Sequence, residues 1–445
     1  MQNKFTSRVL CLLLALCLMV LAPMSALADE PAEPEDEELA ITTEKLADGV
    51  VGEEYSETLE ADGAEKIVWD IDDGDLPDGL LLDKDTGKIS GTPEKAGTFE
   101  FTVIAEDDDD EDNYDTLELS IKIWPELSIP TERLAGKDRI ETAIEIAKEG
   151  WTEAQSVVLA DSRSFPDALT GGPLAFLLDA PILLTKGDES RLRDDVKDLI
   201  EELDAKNIYI LGGTAAVSAA IFDELKDSKT DDVADYDVLR LGGADRYETA
   251  VAIAQKMDEL RGVNPGRIFV VDGITFADAL SVAPVASILS APILLTPSGK
   301  TGFVAASFAY ADSCGAKTAC IVGGTSAVSA SVETRLTSIG YSFERASGDN
   351  RYATSAEVYK KFKGLFTGGV ALLANGRNFP DALGGGALGA KLRAPLLLID
   401  GEAKTSSSAV AGALVDFAPD KVYILGGESA VSDMAVRYHI QPKAA

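Results

Sequence analysis

The sequence APILL occupies residues 180–184, returns at residues 291–295, and returns again as APLLL at residues 394–398. Each copy ends in a short run that is apolar at every position. Such a run, between helical segments, is typical of a strand that is buried on both faces of a sheet. The three copies therefore predict three similar parallel sheets along the chain.

Three further blocks recur in the same order and in the same three registers. The copies of the first begin with an arginine, at Arg133, Arg240 and Arg345. The second reads FPDAL, FADAL and FPDAL, at residues 165–169, 276–280 and 379–383. The third contains a glycine pair and ends in Ala-Val-Ser, at residues 211–218, 322–329 and 425–432. Four ordered blocks in three copies identify three tandem repeats.

Each repeat alternates helical segments with short apolar runs, and we predict the order helix, strand, helix, strand, helix, strand, helix. Apolar strands separated by helices indicate a parallel sheet covered on both faces. The repeat region is therefore predicted to be α/β, with three doubly wound parallel-sheet modules at residues 131–236, 237–342 and 343–445. Three like modules favour a closed pseudo-threefold arrangement, because head-to-tail contacts that close leave no unsatisfied end. An open string of modules is the alternative.

Residues 39–125 have a different texture, in which short apolar runs alternate with turn signals such as Asp78-Gly79. Strands are predicted for three of these runs, at residues 67–69, 88–90 and 99–103. The pattern predicts a small all-β sandwich in front of the repeats.

Residues 1–28 have the parts of a cleaved secretory signal: two cations, an apolar run at residues 9–22, and small residues that end at Ala28. The run is shorter than the roughly 20 apolar residues of a spanning helix, so we predict cleavage after Ala28 rather than an uncleaved anchor. Residues 29–38 are rich in Pro and Glu and predict a disordered acidic spacer. We expect a secreted protein with no transmembrane segment after cleavage.

The net charge of −36 is concentrated near the N-terminus, since residues 29–130 hold 34 Asp and Glu against 6 Lys and Arg. Nucleic-acid binding through phosphate neutralisation needs a basic surface, so the charge excludes this class of function. The acidic run that follows a predicted strand leaves two interpretations open. Weak calcium binding is one, because hard cations prefer several carboxylate oxygens at one loop, here Asp107, Asp108, Asp109 and Asp110. A solvated loop is favoured, because regular ligand spacing is missing.

Cysteine usage excludes a disulfide framework. Two of the four cysteines lie in the predicted signal, which leaves Cys314 and Cys320. These two could pair in an oxidising compartment or remain as two buried thiols, and the sequence leaves both alternatives open.

The four blocks, in this order and three times over, resemble the type 2 cell-wall-binding repeat of Gram-positive surface proteins, across residues 131–440. The segment LPDGL at residues 76–80, followed by TGKISGTP at residues 86–93, resembles the Ig-like modules of bacterial surface proteins. The first resemblance implies a pseudo-threefold trimer of α/β modules that anchors the protein non-covalently to an anionic secondary wall polymer. It also implies a variable partner domain, which here is the Ig-like module. We predict no cofactor.

One arginine per repeat is the best candidate for contact with such a polymer: Arg139, Arg246 and Arg351. A guanidinium presents a fixed fork of donors that suits phosphate or carboxylate oxygens. The alternative is a structural role, in which each arginine pairs with the aspartate of the FPDAL block or bridges two modules. Those aspartates are Asp167, Asp278 and Asp381.

The glycine pairs are a second set of candidates, because free N–H groups at a helix start can hold anionic or hydroxyl groups. They are Gly212 with Gly213, Gly323 with Gly324, and Gly426 with Gly427. Tight turns that need a positive φ are the alternative explanation.

The three copies are not equal. The second repeat has Ile274 where the others have the candidate cations Arg163 and Arg377, and it has Ala277 where the others have proline. The third repeat has Asn350 where the others have aspartate. If the clefts between modules bind polymer, we expect their affinities to differ.

A catalytic function is disfavoured. Only one histidine, His439, is present, which excludes a zinc hydrolase with two or three histidine ligands. The motifs of serine hydrolases and of phosphate-binding loops are also missing. We therefore predict a non-enzymatic wall-binding protein. Two alternatives stay open: a wall-associated, amidase-like hydrolase, and an adhesin whose Ig-like module binds an unknown protein or glycan.

Overall fold

The computed structural model describes residues 38–227, 236–299 and 302–440. The predicted signal at residues 1–28 and nearly all of the predicted spacer at residues 29–38 lie outside these ranges. Two compact units divide the chain, the first ending at Glu126 and the second beginning at Leu127.

The first unit is a β-sandwich. Its strands, within the described residues, are β1 (Ala40–Ile41), β2 (Gly49–Val50), β3 (Tyr55–Thr58), β4 (Ala61–Asp62), β5 (Ile67–Gly74), β6 (Leu80–Asp83), β7 (Lys88–Gly91), β8 (Gly97–Asp107) and β9 (Asp110–Trp124). One sheet has the order β2-β9-β8-β5 and the other has the order β3-β7-β6, while β1 pairs with β4. The predicted strands at residues 67–69, 88–90 and 99–103 are confirmed in β5, β7 and β8.

Alternation along the strands explains the sandwich. In β8, Phe101, Val103 and Ala105 are buried while the residues between them are more exposed. Side chains of period two line one face of a strand, so this face packs against Trp69 and Ile89 from other strands. Burying each large apolar side chain stabilises the fold by roughly 1.5–3 kcal/mol.

The second unit consists of the three repeats. The first contains β10 (Thr131–Leu134), α1 (Arg139–Gly150), β11 (Ser156–Asp161), α2 (Pro166–Leu177), β12 (Ile182–Thr185), α3 (Asp194–Glu202), β13 (Asn207–Leu211) and α4 (Ala219–Lys226). The carboxylate of Asp138 caps α1 by accepting from the N–H groups of Ile140 and Glu141. Pro166 begins α2, where a missing N–H costs nothing.

The other two repeats follow the same order. The second contains β14 (Asp237–Leu241), α5 (Arg246–Arg261), β15 (Ile268–Asp272), α6 (Ala277–Ile288), β16 (Ile293–Thr296), α7 (Ala305–Ser313), β17 (Thr318–Val322) and α8 (Ala330–Ser338). The third contains β18 (Ser342–Ala346), α9 (Arg351–Phe362), β19 (Val370–Asn375), α10 (Gly385–Lys391), β20 (Leu396–Ile399), α11 (Ser408–Phe417), β21 (Lys421–Leu425) and α12 (Asp433–Ile440). Short 3₁₀ turns follow α9 and precede α10.

Each repeat therefore begins with a strand, and the predicted order, which began with a helix, is wrong at this point. The first strand of a repeat joins the sheet of the repeat before it. The sheets are β12-β11-β13-β14, β16-β15-β17-β18 and β20-β19-β21-β10, all with parallel pairing. Since β10 from the start of the repeat region completes the last sheet, the three modules form a closed ring.

Small residues let the central helices of the three repeats approach closely. Gly172 of α2 lies beside Ala283 and Ser287 of α6, and Gly386 of α10 lies against the same Ala283. A Cβ atom added to Gly386 would stand 2.7 Å from the Cβ of Ala283, so this contact requires glycine. The predicted α/β class, the pseudo-threefold arrangement and the preceding β-sandwich are confirmed, and the open string is excluded.

Candidate functional site

The three candidate arginines Arg139, Arg246 and Arg351 each begin the first helix of a repeat. Each guanidinium donates a hydrogen bond to the carbonyl oxygen just beyond the first central strand, at distances of 2.9, 2.6 and 2.5 Å to Ser162, Gly273 and Gly376. The arginines are thereby held at the carboxyl ends of parallel strands. Open α/β sheets bind ligands at this edge.

Three phenylalanines lie against one another across the boundaries between the repeats. The ring centroids of Phe165, Phe276 and Phe379 are 6.0, 5.3 and 5.6 Å apart in the three pairs. The guanidinium of Arg246 lies 5.9 Å from the Phe165 ring, and that of Arg351 lies 5.6 Å from the Phe276 ring. We call these residues the phenylalanine triad. Their place in the FPDAL and FADAL blocks gave no indication that the three rings meet.

The candidate aspartates lie beside the triad and face the arginine of the next repeat. Burial raises the pKa of Asp167 to about 6, while the charge of Arg246 opposes this rise. Burial likewise raises the pKa of Asp278 to about 6, opposed by Arg351. The interaction of each repeat with the next therefore includes one partly buried carboxyl and one guanidinium.

The third aspartate, Asp381, forms the corresponding pair at the boundary between the third and first repeats. Burial raises the pKa of Asp381, while a hydrogen bond from the Thr142 hydroxyl and the charge of Arg139 lower it. Since Thr142 and Arg139 belong to the first repeat, the pattern runs from the third repeat back to the first. The structure thus places the candidate arginines and aspartates together at all three boundaries.

The glycine pairs are turns and do not stand at a helix start. The first glycines, Gly212, Gly323 and Gly426, have φ angles of +96°, +107° and +104°. A Cβ atom on Gly212 would also stand 2.5 Å from the carboxylate of Asp167. The next helix begins only at Ala219, behind its cap Ser218. The N–H of Gly212 is also occupied, since it donates to Leu241 at 2.7 Å.

The same correction applies to the other two pairs. The N–H groups of Gly323 and Gly426 donate to the carbonyl oxygens of Ala346 and Leu134 at 2.9 and 3.0 Å. The expectation of free N–H donors is therefore wrong for the first glycine of each pair. The second glycines, Gly213, Gly324 and Gly427, stay candidates for polymer contact.

A second arginine in each repeat holds these turns, and sequence reasoning missed it. Arg240 donates to the carbonyl oxygens of Gly212 and Gly213 at 3.1 and 3.3 Å, and Arg345 donates to Gly323 at 2.5 Å. Arg133 donates to Gly426 at 2.8 Å, 293 residues away along the chain. The common position of these arginines in the first block was the signal available in the sequence.

The candidate cations Arg163 and Arg377 are exposed and paired with acids. Arg163 binds Asp161 at 2.9 Å and also contacts Asp188. Arg377 lies 2.5 Å from Asp400 and 3.3 Å from Glu402. Both arginines lie just beyond the first central strand, at the same sheet edge as Arg139 and Arg351.

The acidic run forms the turn between β8 and β9. The Asp107 carboxylate accepts from the Asp109 N–H at 3.0 Å and from the Asn113 amide at 3.3 Å, and Asp108 pairs with Lys66 at 2.5 Å. Among the described residues, no group of three or more His, Cys, Asp or Glu is arranged to hold a metal ion. The calcium interpretation of Asp107 to Asp110 therefore has no cluster that supports it.

Both cysteines of the repeat region are free and buried. The Cys314 thiol lies 3.4 Å from the Tyr341 hydroxyl, and burial raises the pKa of Cys320 to about 12. A thiol with so high a pKa is a poor nucleophile. Of the two open alternatives, the structure has buried thiols rather than a disulfide.

His439 is engaged by backbone groups on both ring nitrogens. Its Nε2 accepts from the Ser407 N–H at 3.0 Å, so its Nδ1 carries the proton and donates to the Ala435 carbonyl oxygen at 2.7 Å. Burial lowers the pKa of this imidazole. Neither nitrogen is available as a catalytic base in this arrangement.

The comparison with protein families decides the identity of the repeats. The family described as cell wall binding domain 2 matches residues 133–222, 240–333 and 345–436. The chain belongs to the cell wall binding domain 2 family. Residues 40–122 match an Ig domain family, which agrees with the sandwich in front of the repeats.

Two curated relatives from Bacillus subtilis share the cell wall binding domain 2 region. The N-acetylmuramoyl-L-alanine amidase LytC is 32% identical over 271 residues, which are 61% of this chain and 50% of the amidase. The amidase enhancer is 30% identical over 269 residues, which are 60% of this chain and 34% of that protein. The chain thus spans half or less of the length of these relatives.

Two solved structures share the fold. Cwp6 from Clostridium difficile is 24% identical with a TM-score of 0.62, and the match covers 91% of this chain and 69% of that one. Cwp8 from the same organism is 25% identical with a TM-score of 0.59, over 85% and 64% of the two chains. The family matches show a protein with cell wall binding domains and an Ig-like module. Within the described part of the chain, no helix has the length and apolarity needed to cross a membrane.

Proposed function

We propose that the three repeats hold this protein on the Gram-positive cell wall without a covalent bond, by binding an anionic secondary wall polymer. The Ig-like module would then be displayed at the cell surface. The observation that carries the proposal is the repetition of one arrangement at three boundaries: an arginine at a sheet edge, facing the aspartate of the repeat before it. At two of these boundaries the guanidinium also lies over a phenylalanine. Membership of the cell wall binding domain 2 family supports the assignment to the wall.

The chemistry of this arrangement suits a charged glycopolymer. A guanidinium offers donors for phosphate or carboxylate oxygens, and aromatic faces pack against the apolar faces of sugar rings. Because NH1 of each of Arg139, Arg246 and Arg351 is held by a backbone carbonyl, each guanidinium is fixed before a ligand arrives. Preorganised donors lose less entropy on binding.

Three linked sites also suit anchoring. The net charge of −36 repels polyanions at long range, so the polymer has to be bound by local donors. Sites on one chain raise the effective concentration of the polymer for one another, and weak contacts therefore add up to stable retention.

Co-sedimentation with isolated walls tests the proposal. The full chain should sediment with walls that retain the secondary polymer and stay in solution after the polymer has been stripped. Replacing Arg139, Arg246 and Arg351 together by Gln should abolish sedimentation, with circular dichroism as a check of folding. Lys421→Gln is the control. This lysine begins β21, so it lies at the amino ends of the strands, away from the three arginines at the carboxyl ends, and it pairs with Glu132. Equal binding to stripped walls would refute the proposal.

The hydrolase alternative rests on the amidase relative, which matches over the region of the repeats alone. Against it stands His439, whose ring nitrogens are both occupied by backbone groups. Release of soluble muropeptides from walls by the purified chain, at a rate that rises with protein concentration, would establish the hydrolase instead.

The adhesin alternative concerns the Ig-like module and is compatible with anchoring. A chain that lacks residues 29–125 should keep its retention on walls and lose any binding to neighbouring cells. Loss of wall retention in this variant would contradict the assignment of anchoring to the repeats.

A further inference from the structure

A cavity of about 270 Å³ opens at the sheet edge of the first repeat. It is lined by Asp138, Arg139, Ile140, Ser162, Arg163 and Lys186. Arg163 follows β11, Lys186 follows β12, and Arg139 begins α1, so three cations converge from three different segments. We call this cavity the repeat 1 pocket.

Two residues in the walls of this pocket differ together from their counterparts in the second repeat. The first repeat has Ile140 and Ser162, whereas the second has Tyr247 and Gly273 at the same positions. A Cβ atom added to Gly273 would stand 3.0 Å from the Tyr247 ring, so the glycine makes room for the tyrosine. In the first repeat Ile140, which has no ring, is buried at this position, as is Ser162.

The third repeat has the same pair as the second. Tyr352 lies over Gly376, where an added Cβ atom would stand 2.6 Å from the ring. The Tyr352 side chain also raises the pKa of the Arg377 guanidinium. The rings of Tyr247 and Tyr352 therefore occupy positions that correspond to the wall of the repeat 1 pocket.

The second and third repeats also have fewer cations than the first at the positions that line the repeat 1 pocket. Arg163 and Lys186 correspond to Ile274 and Pro297 in the second repeat, which thus has neither cation. In the third repeat they correspond to Arg377 and Asp400, and these two residues pair with each other at 2.5 Å. The first repeat is the copy in which three cations face one cavity.

Each acid around the repeat 1 pocket is paired with a cation, and only Asp138 has its partners outside the three cations of the pocket. One oxygen of Asp138 caps α1, and the other accepts from Arg193 at 2.6 Å. Asp161 is buried and holds Arg163 in place at 2.9 Å, while the exposed Asp188 contacts the same guanidinium. Glu189 lies 3.6 Å from Lys186 in an exposed pair, and exposed pairs of this kind contribute little and exchange readily for another anion.

We propose that the repeat 1 pocket binds one phosphate group of the wall polymer. This inference rests on the proposed function, because it names the chemical group that the polymer presents to this site. Three cationic donors from three directions suit the tetrahedral oxygens of a phosphate, whereas a planar carboxylate is satisfied by one bidentate arginine.

Calorimetry with inorganic phosphate, applied to the full chain, tests the pocket. The double variant Ile140→Tyr with Ser162→Gly gives the pocket the walls of the second repeat, and Lys186→Pro removes one of its cations. Each variant should weaken phosphate binding about ten-fold or more, because a charge-assisted donor or the space for the ligand is lost. Arg191→Ile is the matched control, since Arg191 is exposed, pairs with Asp194 and lies outside the pocket.

The outcomes separate this inference from the proposed function. Loss of phosphate binding together with weaker sedimentation on walls supports the inference. Unchanged phosphate affinity in the variants, or acetate binding as tightly as phosphate, overturns it. Lost phosphate binding with unchanged sedimentation also overturns it, because the pocket then binds free phosphate while anchoring continues elsewhere. Failure of the unaltered chain to distinguish intact from stripped walls refutes the proposed function instead.

Discussion

The sheet of the first repeat and the sheet of the third are completed in the same way but by different parts of the chain. Arg240 of β14 reaches Gly212 over 28 residues, whereas Arg133 of β10 reaches Gly426 over 293 residues. For loops of these lengths, the longer closure costs about 2 kcal/mol more in chain entropy. The boundary between the third and first repeats is therefore the one we expect to open first.

The buried charges differ between the same two boundaries. At the boundary between the first and second repeats, the buried Asp161 adds to the cost of ionising Asp167. In the third repeat the residue that corresponds to Asp161 is Asn375, which is neutral, and Asp381 accepts from Thr142. The boundary between the third and first repeats thus has the higher chain-entropy cost of closure and the lower cost of ionising its aspartate.

The largest expected effect comes from a charge in the closing strand. Leu134 of β10 is 5% exposed, and Leu134→Asp should destabilise the closing contact by about 4 kcal/mol or more, since it buries an unpaired charge and removes packing. Hydrogen exchange should then accelerate in β21 while β13 stays protected, and X-ray scattering should show a larger radius of gyration.

Leu241→Asp in β14 is the matched control, because Leu241 is 8% exposed at the corresponding position. It should instead accelerate exchange in β13, while β21 stays protected. Equal acceleration of β13 and β21 in both variants would show that the ring opens as one unit and that the closing boundary has no special weakness.

The second prediction concerns pH. The folded pKa of Asp167 is about 6, above its ordinary value of 3.8, so its contribution to stability is full below pH 3.8 and is lost as the pH rises through 6. Asp167→Asn removes this ionisation. It should therefore raise the free energy of unfolding by about 1–3 kcal/mol at pH 8 and leave it almost unchanged at pH 4. Urea unfolding at the two pH values measures the effect.

Asp381→Asn extends this test to the closing boundary. A smaller gain at pH 8 is expected there, because the Thr142 hydroxyl donates to Asp381 and stabilises its charged form. A variant with Asp167→Asn that is less stable than the unaltered chain at pH 8 would show that the ionised carboxylate and Arg246 attract each other by more than burial costs.

A smaller effect is expected at the glycine turns. Gly426→Ala should cost about 1–2 kcal/mol, because φ is +104° and the new Cβ would stand 2.8 Å from the Asp381 carboxylate. Gly427→Ala should be within about 0.5 kcal/mol of the unaltered chain, since an added Cβ atom meets nothing within 4 Å. Thermal unfolding measures both, and equal costs would contradict the turn explanation.

The smallest effect is expected from the ion pair of the closing arginine. Asp433→Asn should cost no more than about 1 kcal/mol, because the Asp433 side chain is 62% exposed and solvent screens the pair. Unfolding in low and high salt measures the cost. A loss of several kcal/mol would mean that Arg133 acts through this pair rather than through its hydrogen bond to Gly426.

The sequence was sufficient for the central strands and helices of the repeats, because runs such as residues 182–184 and 293–295 are apolar at every position and recur. It was insufficient for β10, β14 and β18. Each of these strands is short, lies at the edge of a sheet and mixes polar with apolar residues, as in Thr131 to Leu134. Each of them pairs with a strand of another repeat, and no local sequence pattern predicts such a pairing.

The candidate site was predicted in part. Arginines and aspartates at corresponding positions could be read from the blocks, and the structure brings them together at the three boundaries. The phenylalanine triad and the repeat 1 pocket depend on distances between repeats and on the volume of single side chains. The other two copies have tyrosine in place of Ile140. The reason for this difference is visible only in the structure, where Gly273 and Gly376 lie beneath the tyrosine rings.

The offset of one strand between repeat and sheet has a consequence for how such a chain can evolve. Each copy carries the edge strand of its predecessor, so duplication of a whole copy supplies every internal sheet without a new strand. A copy excised at residues 131–236 would contain β10 without its sheet and three strands without β14. The duplicated sequence segment is therefore not a complete folding unit. A lone copy would expose the sheet edge that the first strand of the next repeat normally covers.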